Sequence, residues 1–255
     1  QIGSKEIAEA FFQVETGDRL LLMSDGVVNA GVGGIYKLGL GTNGVVTNLR
    51  ERGLEAADAQ IIADEVINLV DACYLCCPGD DATTVALVAR PPRTAVVLTG
   101  PPARPEDDRK LIDYFLHYQG EQRIVCGGAT GNLVARETRN SIKTSLEYID
   151  PSVPPTAEIA GMDLVTEGIL TLNKCIEKLQ TVVRGGRLAG SGDGATRLAQ
   201  QLLKADRIVF LVGSAVNPAH ETFMHSLQLA TRFEAVDSLV DLLGTLEKEV
   251  IVEQF

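Results

Sequence analysis

Two short apolar runs, far apart in the chain and each tied to a carboxylate, constrain what this protein can fold into more than any other feature. Asp18-Arg19-Leu20-Leu21-Leu22-Met23-Ser24-Asp25-Gly26-Val27 follows a Gly17-Asp18 turn and reads as a buried strand that delivers a carboxylate and a glycine at its C-terminal end. Pro78-Gly79-Asp80-Asp81-Ala82-Thr83-Thr84 does the reverse, because its acidic pair precedes the β-branched run Thr83-Thr84-Val85-Ala86-Leu87-Val88, which reads as a second strand. Laid side by side, such strands put Asp25 and Asp80 at the same edge of one sheet. Paired carboxylates there can hold a hard divalent cation. Ser-Asp-Gly alone is common turn chemistry; its weight comes from the strand before it and the partner motif after it.

These residues resemble the C-terminal half of PP2C-type serine/threonine phosphatases, in their bacterial SpoIIE-like branch. The likeness rests on GDRLLLMSDGVVNAG and PGDDATTVALVAR and covers residues 1–90 only. It implies a partial PP2C-like α/β sandwich, with Asp25 and Asp80 as ligands of a Mn²⁺ or Mg²⁺ ion and Gly26 and Asp81 beside them. Phosphoserine or phosphothreonine would be hydrolysed by a metal-activated water. Asp81 stands where many relatives carry asparagine. The family's other metal-binding aspartates and its phosphate-binding arginine belong to the N-terminal half of that domain, which would precede Gln1. Gln1 is not an initiator methionine, and residues 2–12 show neither a charged n-region nor a long apolar core. The expectation is a fragment of a longer protein, inactive by itself. By the same resemblance, the parent protein acts on a phosphorylated regulatory protein of the anti-sigma-factor antagonist kind, in a bacterial sporulation or stress switch. Half a sandwich leaves strand edges and apolar faces uncovered, so self-association through residues 1–90, or disorder there, is expected.

Charge narrows the partners. With 34 Asp and Glu against 23 Lys and Arg, the net charge of −11 argues against a nucleic-acid surface. A chain of 255 residues that is 45% hydrophobic has core enough for one large or two ordinary domains. No apolar run approaches the roughly 18 residues of a membrane helix. The five cysteines are odd in number and staple no small domain, which points to a reducing cytoplasm. Cys73-Tyr74-Leu75-Cys76-Cys77 contains a C-x-x-C, but it continues the apolar face of a helix and reads as buried thiols.

Along the chain, Phe11-Phe12-Gln13-Val14 is the expected hairpin partner of the first strand. Gly39-Leu40-Gly41-Thr42-Asn43-Gly44 matches G-x-G-x-x-G, yet helical pattern continues where a dinucleotide fold needs its next acidic strand end, so that reading is rejected. Helices are expected over 45–50 and 56–75. Ala89-Arg90-Pro91-Pro92-Arg93 breaks the pattern with a stiff spacer, giving domains 1–90 and 94–255. Beyond it, expected strands (94–98, 123–126, 145–149, 207–212, 249–252) alternate with expected helices (106–118, 131–138, 162–179, 193–204, 235–247). This alternation predicts a Rossmann-like α/β domain with a mostly parallel sheet, of unspecified strand order.

Three strands of that domain end in glycine turns: Leu98-Thr99-Gly100-Pro101-Pro102, Val125-Cys126-Gly127-Gly128-Ala129-Thr130-Gly131-Asn132 and Leu211-Val212-Gly213-Ser214. Open parallel sheets bind ligands outside the carboxyl ends of their strands. Gly100, Gly127, Gly128, Thr130, Gly131 and Gly213 are therefore the candidate site for a phosphate-bearing small molecule or nucleotide. Its anion would lie on the N–H groups of 128–131, with the hydroxyls of Thr99, Thr130 and Ser214 assisting. Strand-to-helix turns also need glycine for conformation alone. Cys126 reads as a core cysteine, with a reactive thiol at a helix start as the alternative. His117, His220 and His225 lack metal-site spacing. Three functions stay open: the phosphatase with a fused α/β regulatory domain, a ligand- or protein-binding module in 94–255, and a nucleotide-dependent α/β enzyme built on the same residues.

Overall fold

In the computed structural model, which describes residues 9–75, 79–145, 148–188, 190, 192–215 and 231–255, the chain divides into two units, Gln1–Pro91 and Pro92–Phe255. Arg19–Met23 (β1) and Thr84–Val88 (β2) pair antiparallel in the first, with Leu20 opposite Leu87 and Leu22 opposite Val85. Side chains alternate across such a ribbon. Leu21, Met23, Ala86 and Val88 face a core built by Val45 and Leu49 of the helix Gly41–Glu51 (α2) and by Ile62, Val66 and Val70 of the helix Ala59–Cys73 (α3). The three-to-four-residue spacing of those buried positions is what makes each segment a helix with one buried stripe. The other face of the ribbon is apolar too, yet Leu20, Leu22, Val85 and Leu87 are 37, 53, 45 and 50% exposed.

Two expectations for this unit need correction. Phe11 and Phe12 form no strand and are exposed; β1 takes β2 as its partner instead. The first motif is strand only as far as Met23, since Asp25–Val28 is a single helical turn (α1) entered through Ser24. In the Gly39–Gly44 stretch the second glycine opens α2, and no strand leads into it.

The second unit is α/β, with a mostly parallel, mixed sheet of seven strands. Its strands are Thr94–Thr99 (β3), Gln122–Cys126 (β4), Lys143–Thr144 (β5), Ala157–Glu158 (β6), Leu164–Thr166 (β7), Arg207–Val212 (β8) and Glu249–Gln254 (β9), in the order β5-β6-β7-β4-β3-β8-β9. From β7 to β9 all neighbours run parallel, and β6 alone runs against the rest, antiparallel to both β5 and β7. Every residue of β3 is buried, as a central strand covered on both faces requires. Asp108–His117 (α4) and Gly128–Thr138 (α5) cover one face, packing Leu111, Phe115 and Val134 over Val96, Leu98 and Val209. Ile169–Val183 (α6), Gly194–Lys204 (α7) and Arg232–Thr245 (α8) cover the other, packing Leu172, Leu198 and Leu239 over Val97, Ile208 and Phe210. Phe115 and Phe210 are the largest fully buried side chains, one per face; truncating either to alanine costs about 3–5 kcal/mol.

The chain enters this sheet at its middle. From β3 it passes to β4, then to the edge strand β5 and back inward through β6 to β7, before crossing to the far side of β3 for β8 and β9. Connections after β3 and β8 therefore leave in opposite directions, and a crevice opens outside their carboxyl ends. The expected helix 162–179 is wrong at its start: Leu164–Thr166 is a fully buried strand, and Gly168, at φ +141°, separates it from α6. The expected strand 145–149 is also displaced. Lys143–Thr144 pairs with Ala157–Glu158, while Ser145, Tyr148 and Ile149 lie outside strands and residues 146–147 fall outside the described ones. The helix expected over 131–138 begins earlier, at Gly128. No described helix is long and apolar enough to cross a membrane.

Candidate functional site

Antiparallel pairing brings the end of β1 and the start of β2 to one edge, with Met23 opposite Thr84. Ser24 stitches the two acidic turns together. Its N–H donates to the Thr83 carbonyl at 2.9 Å, its hydroxyl donates to the Asp81 carbonyl at 3.3 Å, and the same hydroxyl accepts from the Thr83 N–H at 2.9 Å. Gly26 lies directly against the other turn, where a Cβ would overlap the Asp81 carbonyl oxygen. The Gly26 carbonyl accepts the Tyr74 hydroxyl at 3.0 Å, which anchors α1 to the end of α3. Asp25 and Asp80 are both exposed. Each carboxylate is oriented through one oxygen by the N–H of the next residue, Gly26 at 3.1 Å and Asp81 at 2.9 Å. Asp81 is exposed beside them, and Pro78 lies outside the described residues.

This edge fits a hard cation in part. Oxygen donors are the right type, but a shell of about six oxygens needs more than two carboxylates. Among the described residues no group of three or more His, Cys, Asp or Glu converges as a metal cage. Asp25 and Asp80 are the residues that would hold Mn²⁺ or Mg²⁺ here.

In the second unit the carboxyl ends of the strands open into a cavity of about 400 Å³. Thr99, Gly100 and Pro101 line it from the end of β3, Cys126 to Thr130 from the β4–α5 turn, Glu167 to Ile169 and Leu172 from the β7–α6 turn, Ala215 from beyond β8, and Thr231 to Phe233 from the start of α8. The N-cap of α5 is Gly127 at φ +129° and that of α6 is Gly168 at φ +141°, conformations that glycine adopts without strain. Neither offers a capping side chain. A Cβ on Gly168 would stand 3.0 Å from the Gly127 Cα, so the two helix starts abut. By contrast, Asp193 caps α7 through two N–H groups and α8 carries a Thr231–Glu234 capping box. First-turn N–H groups have no acceptor within the helix and sit at its positive end, so the α5–α6 junction gathers the positive ends of two helices.

The other walls tie the strand ends together. The Gly100 N–H donates to Thr130 Oγ1 at 2.9 Å, in a fully buried bond. Arg232 Nη1 donates to the Gly213 carbonyl at 2.5 Å, and its guanidinium covers Gly100, where any Cβ would overlap it. Burial pushes the Cys126 thiol up to about 12. Its neighbour Cys175 is pushed still higher by burial, reinforced by Cys126. Neither thiol is ionised near neutrality, so the reactive reading of Cys126 gives way to the core one.

Of the residues singled out from the sequence, Thr99, Gly100, Gly127, Gly128 and Thr130 line the cavity. Gly131 and Gly213 do not. The Gly131 N–H is spent on the Gly127 carbonyl at 2.7 Å and its Cα faces Ile142 and Val165, while Gly213 packs on the carbonyls of Gly100 and Pro101. Ser214 gives its hydroxyl to the Phe255 carbonyl at 2.5 Å. Gly131 thus drops out of the anion cradle expected on 128–131, and the first turn of α6 lies beside the start of α5. Glu167, Gly168, Arg232 and Phe233 were missed. Only Gly168 left a trace, as a glycine just ahead of an apolar period, and reading 162–179 as one helix hid it. Cys73 is buried, whereas Cys76, Cys77, His220 and His225 lie outside the described residues. His117 closes α4 with Nδ1 2.7 Å from the Asp113 carbonyl, as a helix-end residue does.

No protein-family model, curated protein or solved structure matches this chain.

Proposed function

We propose that residues 9–91 form one part of a metal-dependent phosphoserine/phosphothreonine phosphatase domain, PP2C-like in architecture and bacterial in kind. The observation that carries this reading is the Ser24 stitch, which holds Asp25 and Asp80 on adjoining turns at one sheet edge. The uncovered ribbon face supports it: Leu20, Leu22, Val85 and Leu87 form the surface that a second sheet covers in a two-sheet sandwich. The missing ligands then come from polypeptide other than 9–91. A bound Mn²⁺ or Mg²⁺ supplies water activation and neutralises phosphoryl charge. Asp25 and Asp80 would hold the ion, Ser24 fixes the spacing of their turns, and Gly26 lets the turns touch. The substrate is a phosphorylated regulatory protein.

The test is Mn²⁺ affinity and phosphopeptide turnover in a polypeptide extended upstream of Gln1. Asp25→Asn and Asp80→Asn lower both, Asp81→Asn less so. Unchanged affinity and turnover in the first two variants would sink the assignment. EDTA-sensitive turnover by the 255-residue chain alone would overturn the view that its metal shell is partial.

The cavity favours a second reading for residues 92–255, a Rossmann-like ligand-binding module that takes an anionic small molecule. Its parallel strands are wound both ways from a central first strand, and the cavity lies at their carboxyl ends. A Cβ on Gly128 would meet nothing within 4 Å, so Gly128→Val fills the cradle and leaves the core intact. Inorganic phosphate and nucleotides raise the melting temperature of the wild-type chain but not of this variant. Equal shifts in both reduce the glycines to turn-formers.

A further inference from the structure

We infer that the cavity of the second unit takes a phosphate monoester with an apolar body, its phosphoryl group shared between the starts of α5 and α6; this rests on the binding reading just given. Glu167 and Arg232 on the cavity wall have partners of their own. The donors left over belong to the main chain. Gly128, Ala129 and Thr130 in the first turn of α5 and Ile169 in that of α6 all line the cavity, and among the described residues their N–H groups meet no acceptor. The first N–H groups to find one are those of Gly131 and Leu172, bonded to the carbonyls of Gly127 at 2.7 Å and Gly168 at 2.9 Å. Thr99 points the same way from the sheet. It ends β3 opposite Cys126, which leads directly into Gly127, and it is 3% exposed. Among the described residues its hydroxyl has no hydrogen-bond partner. The Thr171 hydroxyl is unpaired too but sealed in the core, whereas Thr99 borders the cavity and keeps its residual exposure there. A buried hydroxyl without a partner is costly, and a ligand oxygen in the cavity supplies one.

A phosphoryl group suits this donor set better than a carboxylate. Its three terminal oxygens are splayed tetrahedrally and accept from two helix starts and a hydroxyl at once, whereas a carboxylate offers two oxygens in one plane. Gly128 leaves room for it, since a Cβ there would meet nothing within 4 Å. The remaining wall is apolar, made by Pro101, Ile169, Leu172 and Phe233. At about 400 Å³ the space lies within the range of small-molecule sites and far exceeds what inorganic phosphate fills. An apolar body attached to the phosphate covers that wall and takes its surface out of water. A sugar in the same place would set hydroxyls against it without partners. The phosphoryl group is thus placed on Gly128 to Thr130, Ile169 and the Thr99 hydroxyl, and the body against Phe233.

Isothermal titration of the full chain with phenyl phosphate, ribose 5-phosphate, benzoate and inorganic phosphate tests this, in EDTA so that the acidic edge of the first unit holds no metal. Phenyl phosphate binds tightest, ahead of inorganic phosphate by about ten- to a hundredfold for the burial of one ring. Ribose 5-phosphate stays close to inorganic phosphate, and benzoate falls behind phenyl phosphate. Thr99→Val, which keeps the side chain's shape, weakens phenyl phosphate and inorganic phosphate alike, by about tenfold. Phe233→Ala weakens phenyl phosphate and leaves inorganic phosphate unchanged. If phenyl phosphate binds no better than inorganic phosphate or ribose 5-phosphate, the apolar body is refuted and the anion site stands. Benzoate as tight as phenyl phosphate refutes the phosphoryl group, and unchanged binding in Thr99→Val removes that hydroxyl from the site. If none of the four binds, the binding reading fails with it.

Discussion

Gly26→Ala tests the acidic edge most directly, because the clash it creates has no flexible partner. The added Cβ would overlap the Asp81 carbonyl oxygen and stand 2.9 Å from its carbon, both backbone atoms. Gly26 sits in the helical turn α1 and has no positive φ, so the cost is steric rather than torsional. Overpacking of this kind costs about 1–3 kcal/mol. The turns can relieve it only by separating, which stretches the Ser24 bonds to Asp81 and Thr83, each worth about 1 kcal/mol. The expected loss is about 2–4 kcal/mol in the opening of this edge. Hydrogen exchange followed by mass spectrometry reads it locally: the amides of β1 and β2 should exchange about thirty- to several-hundred-fold faster, while those of β3 and β8 stay unchanged. Exchange in 19–23 and 84–88 within about twofold of wild type would mean that the turns are not in contact, and the case for paired ligands would go with it.

Burial holds the Cys126 thiol neutral up to about 12 against an ordinary 9.0. That contribution to stability is fully present below pH 9 and is lost as pH rises towards 12; urea midpoints must therefore fall more steeply above pH 9 in wild type than in Cys126→Ala. Asp193→Ala removes the cap of α7, with N–H bonds of 3.0 and 2.9 Å, together with the carboxylate 3.5 Å from Lys178. Chemical denaturation should show a loss of about 2–4 kcal/mol, and a loss below 0.5 would refute the capping role. Leu22→Lys on the uncovered ribbon face should change stability by less than about 0.5 kcal/mol while reducing self-association in light scattering. A wild-type chain that is strictly monomeric at high concentration would refute the idea that this face is adhesive.

Local pattern made much of the architecture legible. β3, β4, β8 and β9 each announce themselves as apolar runs between breakers, and α3 as a stripe of Ile62, Val66 and Val70. The misses share a physical cause. Leu164-Val165-Thr166 is a three-residue strand that acquires its conformation from β4 beside it, where Val125 pairs with Val165. Its two apolar residues fit a helical period as well as a buried strand, and nothing within the segment decides between them. Phe11-Phe12-Gln13-Val14 shows the converse: its composition favours a strand, but β1 finds its partner in β2 and the phenylalanines stay exposed. Propensity yields to pairing in both cases.

The two candidate sites were legible to different degrees for the same reason. Asp25 and Asp80 lie just outside two strands that pair with each other, Asp25 beyond the end of β1 and Asp80 ahead of the start of β2, so antiparallel pairing brings their turns together. The cavity instead needs a strand order. Gly100 and Gly127 are neighbours because β3 lies beside β4, and Gly168 joins them because β7 takes the next place outward. Arg232 reaches the cavity only because β8 crosses to the other side of β3, which carries the start of α8 back over Gly100 and Gly213. Composition around Arg232 says nothing of this. Gly100→Ala would put the crossing to work: the new Cβ occupies the guanidinium's place, so Arg232 must release the Gly213 carbonyl and swing away. A bound anion should then lose Arg232 as a partner, and phosphate affinity should fall in Gly100→Ala about as far as in Arg232→Gln. The double variant should be no weaker than either single one, since both remove the same contact. Additive losses would show that Gly100 and Arg232 act on the ligand separately, and that the guanidinium does not sit where the strand order places it.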